Sequence, residues 1–228
     1  MKDYKFSAVF QPTALFSLKD SNSTNSGAKT LFLPSPYAVK MAIINQAITM
    51  AGVDFSKDGK KNKAFGRVRD VEIEYFIKGN YCINNCFLKI LKPSRSSPGE
   101  VQKTVSFREY VHINEAIEFV FTVKDKEAIH FLKKFIHKIN YFGKRGCFFQ
   151  FTAYKDTPQQ ANVTSFAGNY LNPGILQEYD DFGEKFSFDD VNSYGGKGSA
   201  KREKKIRILP FERVSSSKSF SHFRTIEP

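Results

Sequence analysis

Asn140-Tyr141-Phe142-Gly143-Lys144-Arg145-Gly146-Cys147-Phe148-Phe149-Gln150-Phe151 joins a helical pattern to a strand-like one. Upstream of it, Asp125 suits the N-cap of a helix. The apolar residues Ala128, Ile129, Leu132, Phe135, Ile136 and Ile139 recur on one face of that helix, while Lys133, Lys134, His137 and Lys138 fall largely elsewhere. Gly143 is placed to end it, and residues 147–154 read as a strand. Two glycines let the backbone approach a ligand closely. Lys144 and Arg145 offer partners to phosphate, and the aromatic rings offer faces to unpaired bases. The same two cations would also offset the partial negative charge of a helix C-terminus.

Outward from this stretch the pattern repeats. Tyr4, Phe6, Ala8 and Phe10 alternate as in a strand that breaks at Pro12. Ser35 and Pro36 then open a helix as N-cap and first residue. Tyr37, Met41, Ile44, Ile48 and Ala51 mark its apolar face, and Gly52 marks its end. Lys40 falls off that face, free for RNA or water. Strand-like runs cover 71–77, 81–83 and 86–91, with Gly79-Asn80 as a hairpin turn, and two more cover 105–110 and 117–123. The order predicts an α+β fold, a ferredoxin-like (RRM-like) βαββαβ domain with inserted β-hairpins. Helices on one face of such a sheet leave the other face for RNA. The expected division is a domain over 1–156 and an irregular C-terminal region over 157–228 ending in a basic tail.

The chain has 228 residues, a formal charge of +12 and a pI near 9.5, which favours a polyanionic partner. At 41% hydrophobic it can bury a substantial core. Residues 197–228 carry nine Lys or Arg against three Glu, a net +6, behind an acidic stretch over 178–190. Such a tail either lies on a nucleic-acid backbone or is solvated. No apolar run approaches the roughly 20 residues that span a bilayer, and the N-terminus lacks a signal-peptide core. Three cysteines fit a reducing cytoplasm better than a disulfide scaffold. With 24 Phe, 10 Tyr and no Trp, many of the phenylalanines must be core.

Three segments carry a family resemblance: Leu33-Pro34-Ser35-Pro36-Tyr37-Ala38-Val39-Lys40, Phe107-Arg108-Glu109-Tyr110 and Tyr141-Phe142-Gly143-Lys144-Arg145-Gly146. With the later Ile208-Leu209-Pro210-Phe211 they resemble the RAMP superfamily of CRISPR effector proteins, most closely the small Cascade subunit that caps the 5′ handle of the CRISPR RNA (crRNA). The resemblance implies an RNA-binding, non-catalytic subunit of a class 1 effector complex in antiviral defence, without a cofactor. Its partners would be crRNA, a backbone RAMP subunit and a large subunit, with target DNA reached through the complex. It also implies a projecting hairpin, or thumb, for which 67–92 is the candidate. The family's glycine-rich loop would map to Gly143–Gly146, shorter here than in many members.

The resulting RNA-binding set is Lys40, Arg67, Arg69, Arg108, Gly143, Lys144, Arg145 and Gly146. Arg108 equally suits an ion pair with Glu109, Tyr37 suits core as well as stacking, and Arg67 and Arg69 share a strand face that would otherwise guard a sheet edge. Cys82 and Cys86 have a spacing found in zinc sites but no second ligand pair, so the expectation is core and no metal. One branch of the family cuts precursor RNA. The alternative function is therefore a metal-independent endoribonuclease of repeat RNA, for which His130 and His137 are the candidate groups.

Overall fold

The computed structural model describes residues 3–23, 27–94, 96–97, 99–166, 168, 173–192 and 202–226. It is an α+β structure with mostly antiparallel sheets and few helices. The central sheet is formed by β1 (Tyr4–Pro12), β2 (Glu72–Phe76), β5 (Ile117–Val123) and β6 (Phe149–Lys155). Their order is β2-β5-β1-β6, and every neighbouring pair is antiparallel. Phe6, Ala8 and Phe10 of β1 point to one face with Phe119 and Phe121 of β5, and the Phe6 and Phe121 rings stack at 5.1 Å. Each such fully buried ring contributes roughly 1.5–3 kcal/mol relative to exposure.

Two helices occupy places the sequence predicts. In α1 (Pro36–Ala51) the Ser35 hydroxyl accepts the Ala38 N–H at 3.2 Å, and Gly52 closes the end at φ +58. In α3 (Lys126–Ile136) the Asp125 carboxylate accepts the Ala128 N–H at 2.7 Å. Ala128, Leu132, Phe135 and Ile136 of α3 are buried as expected, but the helix stops at His137, well before Gly143. The buried face of α1 differs from the predicted one. It is Val39, Lys40, Ile43, Ile44 and Ala47, while Ile48 is 41% exposed. This helix is apolar nearly all round, so periodicity alone does not choose its face; packing against α3 and the later strand β7 (Ile175–Asp181) does.

The expected hairpin at Gly79-Asn80 does not form. A further helix, α2 (Lys63–Arg69), occupies the start of the 67–92 segment, with Asn62 Oδ1 accepting the Phe65 N–H at 2.8 Å. Arg67 and Arg69 are thus helical residues, not strand residues. The chain then makes β2 in the central sheet and crosses at Gly79 into a second sheet. Gly79 has φ +83, and a Cβ there would lie 2.6 Å from Asn114 Oδ1, so the crossing needs glycine. The long hairpin is β3 (Asn80–Pro93) with β4 (Val101–Ile113), paired from Tyr81 with Ile113 out to Pro93 with Val101.

The C-terminal region is not irregular where it is described. Strands β7 (Ile175–Asp181) and β8 (Glu203–Leu209) pair with each other. Strands β9 (Phe211–Ser216) and β10 (Phe220–Thr225) form a hairpin that joins β3. Lys197, Lys201 and Glu227 of the basic tail lie outside the described residues. The second face of the central sheet is not open either: Ser7, Val120 and Thr122 are buried on it. Residues 158–163 cross it, with the Gln159 N–H on Glu118 and the Asn162 and Val163 N–H groups on the Tyr75 carbonyl. The middle of an RRM-like platform is therefore covered here, while Lys5 and Glu72 stay exposed at its edge.

Candidate nucleic-acid interface

Residues 140–149 fold back as a tight turn between α3 and β6. The Phe142 N–H donates to the Cys147 carbonyl and the Cys147 N–H to the Lys144 carbonyl, both at 3.2 Å, while Tyr141 bridges Phe148. The aromatics divide by role. Phe142 and Phe149 are core rings, 5.1 Å apart, and Phe142 also packs on Phe10 and Phe119. They anchor the turn and are closed to bases, while Phe148 is 47% exposed. Cys147 is buried with its thiol on the Ser17 carbonyl, and burial pushes that thiol up in pKa, so it stays protonated and inert.

This anchoring holds Lys144, Arg145 and Gly146 out into solvent. Gly143, at φ +71, presses on Leu18, where a Cβ would meet the side chain at 2.8 Å. Between the turn and the short strand Leu18–Lys19 opens a cleft of about 400 Å³. Three of the predicted RNA-binding residues, Arg108, Gly143 and Lys144, line it together. The start of α1 contributes Tyr37, and two residues the sequence did not single out, Lys19 and Arg202, complete the basic lining.

Three acids also line the cleft: Asp20 accepts the Asn22 N–H at 2.9 Å, and the other two have cation partners. Asp180 pairs with Arg202 at 2.9 Å and Glu178 with Lys204 at 2.7 Å. The Lys204 ammonium, helped by the Asn22 amide, holds the Glu178 carboxyl below its ordinary pKa. The Arg202 guanidinium lies 4.0 Å from the Tyr37 ring centroid, so Tyr37 serves as a platform for arginine. Arg202 was legible only as one more charge of the basic tail; its position depends on β8 pairing with β7.

The remaining predicted residues lie elsewhere. Lys40 is not free: it is 2% exposed, its ammonium sits 2.7 Å from Asp181 Oδ1, and it donates to the Arg69 carbonyl at 2.9 Å. Arg69 makes a two-point pair with Asp70 at 2.6 and 2.9 Å. Arg67 pairs with Glu127 and covers the Phe131 ring. Glu109 accepts the Thr30 N–H at 2.9 Å, and the Arg108 guanidinium donates to the Phe107 carbonyl at 3.0 Å.

His130 and His137 do not converge on the cleft. His137 Nδ1 is 2.8 Å from the Lys133 carbonyl, and its ring packs near Phe151 and Tyr154. Cys82 stands in register between His112 and His222, and Cys82 and Cys86 are half-buried. Among the described residues, no three His, Cys, Asp or Glu side chains gather where a metal could be held. No described helix is long and apolar enough to cross a membrane.

No family model matches the chain. Its sequence is 24% identical over 195 residues to the CRISPR-associated protein Cas5 of Archaeoglobus fulgidus, covering 81% of this chain and 82% of that protein. A crystal structure of a CRISPR protein from Archaeoglobus fulgidus aligns over 98% of this chain and 92% of its own, at 12% identity and a TM-score of 0.39, too loose a likeness to add to the sequence match.

Proposed function

This chain resembles the Cas5-type proteins of the RAMP superfamily in its motifs and in its sequence match to the Archaeoglobus Cas5, and on that premise we propose that it is the crRNA-binding subunit of a class 1 CRISPR effector complex. In this proposal the cleft beside the 143–146 turn holds the 5′ handle of crRNA. The observation that carries it is convergence: Arg108 and Lys144, distant in sequence and chosen for their residue types, line one hollow with Lys19 and Arg202. Arg145 and Phe148 of the same turn are exposed, one available to phosphate and one to a base.

The β2-β5-β1-β6 order, with α1 between β1 and β2 and α3 between β5 and β6, supports a ferredoxin-like domain over 1–156, followed by 157–228. Within it the β3–β4 hairpin takes the place of the thumb in preference to 67–92. Its far half carries Phe87, Leu91, Val101 and Val105, all more than half exposed, which suits contact with a neighbouring backbone subunit.

Phosphate contacts would dominate affinity, so binding should weaken steeply with salt. The test is guide-RNA affinity of the Lys144→Ala/Arg145→Ala variant. A loss of about tenfold, with a salt slope shallower by about one for each lost contact, is expected. Unchanged affinity would remove the turn from the site.

A further inference from the structure

A second basic surface lies away from the cleft and shares no residue with it. Helix α2 packs beside α3, and two adjoining hollows that share Arg67 and Glu127 run along them. Their lysines and arginines are Lys61, Lys63, Arg67, Arg69, Lys124, Lys126 and Lys134. The acids among them are engaged: Asp125 caps α3, Glu127 pairs with Arg67 and Asp70 with Arg69. Lys61 and Lys63 are exposed and have no ion pair among the described residues. Lys124 is paired with Asp3 at 3.1 Å, but helix stability does not explain Lys126, which follows the α3 N-cap, where the helix dipole disfavours cations.

We propose that this α2–α3 face binds the phosphate backbone of a nucleic-acid duplex, independently of the cleft. Three features point to backbone recognition. Phe131 is only partly exposed and its ring is covered by the Arg67 guanidinium, 5.6 Å from the centroid, so no open ring is offered to an unpaired base. The exposed cations are lysines, point charges that bind phosphate without the forked geometry used to read a base edge. Several of them along one face suit the regular phosphate spacing of a duplex, whose bases are already paired inside.

The test uses the full chain and fluorescence anisotropy with three labelled probes: duplex DNA, duplex RNA and a single-stranded repeat RNA. Lys61→Glu/Lys63→Glu/Lys126→Glu/Lys134→Glu should lower duplex affinity by about tenfold or more and flatten its salt dependence, leaving repeat-RNA affinity within about twofold. The DNA and RNA arms tell which duplex is preferred. The Lys144→Ala/Arg145→Ala variant should do the converse, so failure of the cleft and failure of this face give different results. A melting curve checks folding, and the four Lys→Gln replacements repeat the test with less perturbation. Duplex affinity unchanged in both variants, equal loss of duplex and repeat RNA, or a wild-type chain that binds no duplex and uses these lysines only for an acidic protein would each overturn the proposal.

Discussion

Replacing Lys40 with Met removes an ammonium from a site that is 2% exposed, 2.7 Å from Asp181 and 2.9 Å from the Arg69 carbonyl. Methionine nearly fills the space, so the cost is electrostatic and not that of a cavity. Among the described residues, Asp181, itself buried, would keep the Phe182 N–H at 2.7 Å and Lys205 at 3.8 Å. Breaking a buried pair from one side costs about 3–5 kcal/mol, and the residual Lys205 contact places this case near the lower end, about 3 kcal/mol. Burial pushes the Lys40 ammonium down in pKa despite the pull of Asp181, so the pair itself is expensive to bury. Lys40→Met/Asp181→Leu should therefore cost less than the sum of its parts, with a coupling of about 2 kcal/mol. Urea unfolding of the four proteins measures the cycle, and guide-RNA titration of folded Lys40→Met checks function. Additive losses, or a single-variant loss below about 1 kcal/mol, would refute the assignment of Lys40 to the fold. Lost RNA affinity at unchanged stability would return it to the RNA site.

Gly143→Ala should cost about 1–2 kcal/mol, because φ +71 disfavours any side chain and Leu18 blocks the new methyl; a melting temperature equal to wild type would refute it. Burial opposes the charge of Glu118, but the Lys155 ammonium, the Ser7 hydroxyl and the Gln159 N–H together hold its carboxyl below its ordinary value near 4.5. A lowered acid stabilises the fold fully above that value and loses the contribution as pH falls through the folded pKa. Wild-type stability should thus fall more steeply below about pH 4.5 than that of Glu118→Gln, which acid titration of unfolding would show; parallel curves would count against it. Phe87→Ser, at a residue 73% exposed, should change stability by less than about 0.5 kcal/mol yet reduce co-purification of neighbouring subunits. Undiminished co-purification would take the hairpin out of the assembly surface.

Local signals carried the helix ends. Ser35, Pro36, Gly52 and Asp125 act through their own backbone neighbours, and the structure uses each as the sequence suggests. The face of α3 was legible because its polar and apolar residues separate cleanly. That of α1 was not, because apolar residues surround it and a lysine hides among them, neutralised by an aspartate 141 positions away. The same limit explains the misplaced hairpin. Residues 71–77 and 81–83 are both strand-like, and nothing local says that they enter different sheets. Only the clash that a side chain at Gly79 would make with the Asn114-Glu115 turn marks the crossing.

Formal charge is as poor a guide to the proposed nucleic-acid cleft. The basic excess of 197–228 looks in sequence like a free tail. In the fold, Arg202, Lys204 and Lys205 face Asp180, Glu178 and Asp181 across the β7–β8 ladder. The acidic stretch and the basic tail, separate features of the sequence, substantially neutralise each other and brace one wall of the cleft. Their pairing leaves less positive potential for RNA on that wall than the tail's formal charge implies. If the cleft holds RNA as proposed, the exposed Lys144 and Arg145 therefore have the larger part in drawing in its phosphate chain, and salt should weaken binding chiefly through them.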